Sequence, residues 1–133
     1  MPVPEKYKDL PELTFGGLGN ARMIWERRSG PDWDHGTLTW KSERYWFTMC
    51  CYDEEEELVR YSVYPLTPEE THILDDWYVT YRTLQLQWQL LANNPATSHG
   101  IAQREKARQL EAFQSTLPRF EERPVVAHFS VSD

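Results

Sequence analysis

The chain has 133 residues, 40% of them hydrophobic and 14% aromatic, with 21 acidic against 14 basic side chains and a net charge of −7. That composition fits one domain with a sizeable core and is too apolar for a disordered chain. The charge disfavours non-specific nucleic-acid binding, which depends on Lys and Arg to release counterions, although a local basic patch remains compatible with it.

Residues 1–20 carry Pro2, Pro4, Pro11, Gly16, Gly17 and Gly19 and read as an irregular arm, with Leu10, Leu13, Phe15 and Leu18 placed to pin it to the body. No signal-type apolar stretch opens the chain, and no run of about 18 apolar residues spans a membrane, so a cytoplasmic protein without a membrane partner is expected. The glycine cluster before residue 21 resembles a phosphate loop only superficially. Such a loop needs a helix N-terminus after it, and residues 21–28 alternate as a strand around Met23 and Trp25. The glycines are better read as a tight turn.

Ser29-Gly30-Pro31-Asp32 is turn chemistry, and residues 32–36 extend the loop. Residues 37–41 form a second strand. Residues 43–52 form a third, apolar on both faces and therefore expected to be central and covered on both sides. Cys50 and Cys51 lie on it. Neighbours on a regular strand point to opposite faces, and a bridge between them is strained. They are read as reduced thiols, at least one packed in the core, and not as a disulfide framework or metal knuckle.

Residues 53–57 are five consecutive carboxylates, a solvated hairpin turn. A fourth strand follows over 58–64. Residues 67–93 then form a long helix, started by Thr67 with Glu70 as a capping box, with Pro68 at the first helical position. One apolar seam runs Leu74, Trp77, Tyr81, Leu84, Trp88, Leu91 at spacings of 3 and 4. A second stripe, Val79, Thr83, Leu86 and Leu90, lies roughly opposite, where a helix packed on one side should be polar. Asn93-Asn94-Pro95 ends the helix. A shorter helix, from Ser98 or Ile101 to Thr116, has a thin apolar face and suits a peripheral cover. Residues 124–131 alternate as a fifth strand.

The expected fold is α+β: an antiparallel sheet of about five strands, a meander of four plus a C-terminal strand, packed against one long and one shorter helix. Residues 1–20 are the arm, and 21–133 a single domain. Short links between successive strands favour the meander over βαβ units.

Three functional readings follow. The leading one is a non-enzymatic protein-interaction module of accessory, assembly or inhibitor type. It acts through Val79, Thr83, Leu86 and Leu90, as a homodimer or with another protein, and the acidic run adds complementarity towards a basic partner. The second is a nucleic-acid or nucleotide binder. Trp25, Trp40, Trp46 and Tyr61 would stack bases, with Arg22, Arg27, Arg28, Lys41, Arg44 and Arg60 on or near the same strands. The third is a small metal-dependent enzyme using Asp32, Asp34 and His35, or Glu69, His72 and Asp76. The first set is two carboxylates and an imidazole suited to acid–base work or ligation; the second shares the Glu-x-x-His spacing of carboxylate-bridged metal bundles, in a single copy. No catalytic or cofactor motif stands out, so no catalytic residue, resident metal or cofactor is assigned.

Overall fold

The computed structural model describes residues 4–29, 32–97 and 99–132. The elements are a 3-10 turn (Glu5–Tyr7), β1 (Ala21–Ser29), β2 (Asp32–Trp40), β3 (Glu43–Asp53), β4 (Leu58–Pro65), α1 (Pro68–Ala92), α2 (Ile101–Gln114) and β5 (Ala127–Ser132). The five strands form one antiparallel sheet in the order β1-β2-β3-β4-β5. This is an α+β protein, and the four-strand meander extended by a C-terminal strand is as the pattern predicts. Among the described residues, no helix is long and apolar enough to cross a membrane. The chain divides into two compact units: Met1–Pro68 with Phe120–Asp133, and Glu69–Arg119.

The first unit is the sheet. One face gathers Leu38, Tyr45, Phe47, Tyr61, Val63 and Phe129 into the main core, with Phe15 and Trp33 packed against it. The aromatic packing is specific: Tyr61 stacks on Phe129 at 4.7 Å, and Phe47 meets both rings edge-on at 5.7 and 5.3 Å. β4 is the strand buried on both faces over most of its length. β3, expected to be covered on both sides, is buried so only over Tyr45, Trp46 and Phe47; its second half is open, with Met49 and Tyr52 exposed.

β2 begins five residues earlier than its apolar alternation suggests. Residues 32–36 pair with β1, Asp32 opposite Ser29 and His35 opposite Arg27, and do not form a loop. The turn residues Gly30 and Pro31 lie outside the described residues. Gly36 permits the early pairing. A Cβ there would run into the Trp25 carbonyl and the Phe47 ring, so only glycine lets β1 approach this closely. Two register shifts flank that point: the one at Met23/Trp25 leaves Ile24 as an extra residue of β1, and the one at Arg27/Arg28 leaves Asp34 as an extra residue of β2.

The N-terminal arm runs along β5. The Leu13 amide donates to the His128 carbonyl at 2.8 Å, and the His128 amide to the Pro11 carbonyl at 3.1 Å. These bonds cover backbone that an edge strand would otherwise leave open. Leu13 is buried and Phe15 packs edge-on against Phe129 at 5.0 Å, but Leu18 is fully exposed. The principal anchor is Tyr7, which is buried, stacks on His128 at 4.6 Å and hydrogen-bonds Ser62 Oγ at 2.7 Å.

The second unit is a helical hairpin. Pro68, Glu69 and Glu70 open α1 as their chemistry favours. Leu74, Trp77 and Tyr81 are buried, while Leu84, Trp88 and Leu91 are only partly so. Trp77 stacks between Tyr81 and Phe113, each at 5.2 Å, and its indole N–H donates to Thr116 Oγ1 at 3.1 Å. None of the 14 described residues of α2 is buried, which makes it a light cover on the flank of α1.

Candidate interaction surface

The second stripe of α1 stands in solvent. Val79 is 64% exposed, Leu86 49% and Leu90 74%, and Thr83 between them is also exposed. Their spacings of 4, 3 and 4 keep them on one line of the helix, and at 1.5 Å per residue the line is roughly 16 Å long. The same spacing continues towards the N-terminus through Asp76 and His72. The stripe is therefore graded, polar at its start and apolar at its end. Thr83 turns its hydroxyl back onto the Val79 carbonyl at 3.0 Å, which leaves its methyl group as part of the surface. This is the alternation of a helix–helix seam, with the central threonine as its weakest position.

The other candidate residues are placed as follows. Trp25, Trp40, Trp46 and Tyr61 are all buried, at 4%, 8%, 0% and 1% exposure. Trp25 meets Trp46 edge-on at 6.3 Å, Trp40 packs on Tyr45, and Tyr61 is part of the Phe47–Phe129 cluster. Buried to this degree, they are not an open platform for bases. Of the basic residues, Arg27 pairs with Asp34 at 3.4 Å, Arg44 donates to Thr37 Oγ1 at 2.8 Å, and Arg60 pairs with Asp53 at 3.0 Å.

Residues 32–36 are strand and not loop, and Asp34 is an extra residue there, between His35 opposite Arg27 and Trp33 opposite Arg28. Asp34 turns to Arg27. His35 is buried and stacks on Trp46 at 5.3 Å. The side chain of Asp32 lies outside the described residues. His72 Nε2 and Asp76 Oδ2 are 3.4 Å apart on the solvent side of α1, 79% and 70% exposed. Glu69 is on the adjoining turn and is not part of that pair. Among the described residues, no three His, Cys, Asp or Glu side chains are placed to share a metal ion.

The glycine loop closes on itself. The Gly19 amide donates to Gly16, the Ala21 amide to Thr14, and Thr14 and Asn20 exchange side-chain bonds with each other's amides. It then enters β1, so it has no helix dipole to offer a phosphate.

The acidic run is divided. Glu54, Glu55, Glu56 and Glu57 are exposed, but Asp53 is buried. One of its oxygens accepts from the Glu55 and Glu56 amides at 3.1 and 3.2 Å, and the other from Arg60. The Arg60 hydrogen bond outweighs burial and, with the Glu56 amide, holds the Asp53 carboxyl below its ordinary value. His128 is buried against Tyr7, and desolvation lowers its pKa.

No protein-family model, curated protein or solved structure matches this chain.

Proposed function

We propose that this chain is a cytoplasmic, non-enzymatic interaction module of accessory, assembly or inhibitor type, whose contact surface is the Val79–Thr83–Leu86–Leu90 stripe of α1. The observation that carries this reading is a line of apolar side chains at seam spacing, exposed on a helix whose opposite side buries Leu74, Trp77 and Tyr81. A second copy is the simplest partner, because the same stripe on another chain is complementary to it in both spacing and polarity.

Magnitudes fix the kind of contact. Burying a Val or Leu side chain completely is worth about 1.5–3 kcal/mol, and these three are already partly covered. Association costs about 4–15 kcal/mol in lost freedom. The seam is also shorter than the three to four heptads of a stable coiled coil. The expected contact is transient and concentration-dependent, and strengthens where a partner offers a groove beyond the seam. The four exposed glutamates favour a basic partner by steering its approach.

Sedimentation of the full chain over a wide concentration range, beside a Leu86→Glu/Leu90→Glu variant, tests the self-associating form. The expected result is a mass average that rises with concentration in the parent and stays monomeric in the variant. Identical monomeric behaviour of both chains at every concentration would defeat it.

A further inference from the structure

A second feature lies in the sheet and is independent of the reading above. β3 is irregular where its two cysteines fall. Met49 pairs with Tyr61 and Cys51 with Arg60, so Cys50 is an extra residue inserted into the ladder. Such a bulge breaks the alternation that would send neighbouring side chains to opposite faces. The two Sγ atoms consequently lie 3.1 Å apart, and both side chains are partly exposed.

The surroundings suit thiolate chemistry. Burial opposes ionisation of Cys50, but hydrogen bonds from the Tyr7 hydroxyl, Cys51 and Lys6, together with the Lys6 charge, outweigh it and hold this thiol below its usual pKa. Burial and the adjoining Cys50 sulfur push Cys51 up to about 11. The two thiols are thus biased in opposite directions, Cys50 towards ionisation and Cys51 away from it.

We propose that Cys50 and Cys51 form a vicinal dithiol site that takes a soft trivalent thiophile, represented by an organic arsenical, through both sulfurs. The spacing separates this from a disulfide. A disulfide needs the sulfurs at about 2.05 Å and Cα atoms usually at least about 4.4 Å apart, whereas neighbours across a trans peptide are about 3.8 Å apart. A bond closed there is strained and easily reduced. Two sulfurs each about 2.3 Å from a shared soft centre span about 3.3 Å at a right angle, close to the observed separation.

With an arsenoxide, the Cys50 thiolate adds to arsenic and the Cys51 thiol follows. Two As–S bonds form, the As=O bond breaks, and the oxygen leaves as water with the Cys51 proton and one from solvent, the equivalent of the proton Cys50 released on ionising. Arsenic remains trivalent, so no oxidant or reductant is needed.

Phenylarsine oxide, added to the reduced full chain and followed by intact mass, provides the test. The expected product is a single adduct equal to the arsenical less one water. It should survive an excess of 2-mercaptoethanol and be released by 2,3-dimercaptopropanol. Cys50→Ser and Cys51→Ser, each verified as folded by circular dichroism, should lose that resistance to the monothiol. Absence of an adduct on the parent, its removal by 2-mercaptoethanol, or equal retention by either single variant would overturn the proposal.

Discussion

Asp53 shows how far a residue's role can depart from its neighbourhood in the sequence. It opens a run of five carboxylates, yet it is buried, organises the β3–β4 turn and holds Arg60, while the other four are solvated. Nothing in five identical charges marks the first as different. The signal is positional: it ends a strand and precedes a turn, where an Asp side chain can accept from amides two and three residues on. Its pH signature follows from the direction of its shift. The folded-state value lies below the ordinary 3.8, so the stabilisation is complete above that value and is lost as pH falls through the lower folded one. Asp53→Asn should lower the melting temperature at neutral pH and flatten the acid side of its pH dependence, as read by thermal melts between neutral and strongly acidic buffers. A variant whose acid limb matched the parent's would show that Asp53 contributes nothing to it. Gly36 and Tyr7 make the same point in different chemistry: one is small because β1 comes close, the other is the arm's anchor although only leucines and Phe15 were candidates.

The secondary structure elements were largely readable. β1, β3, β4, α1 and α2 fall within a few residues of the spans that alternation and helical spacing predict, because period and capping chemistry are local properties. Apolar alternation alone starts β2 too late because Asp32, Asp34 and Gly36 are turn-type residues, and pairing with β1 overrides that preference. The β2–β3 connection carries an avoidable cost. Lys41 and Ser42 both have positive φ, 54° and 64°, the geometry of a two-residue hairpin turn that Asn-Gly fits best. Lys41→Asn/Ser42→Gly should therefore stabilise the protein by about 1 kcal/mol and raise the melting temperature by ~4 °C, measurable by calorimetry. An unchanged or lower melting temperature would mean that the Lys41 contact over the Trp40 ring, at 4.5 Å, is worth as much as the relief of strain.

At the scale of the whole molecule, protection is unevenly distributed. β4 is buried on both faces and hydrogen-bonded on both edges, whereas α2 buries none of its described residues. Amide hydrogen exchange should be slowest in β4 and its partners in β3 and β5, and fastest among the regular elements in α2. Comparable protection in α2 and β4 would show that the two units open together. Composition, charge, the α+β class, the strand order and the position of both stripes on α1 were set by the sequence alone, since each depends on local periodicity and short connections. The tertiary structure decided which apolar residues are spent and which are available. The strand aromatics read as a stacking face are buried, Asp34 and His35 take different partners, and Cys50 and Cys51 are brought together by one bulge. Burial and juxtaposition depend on residues far apart in the chain, and no local pattern encodes them.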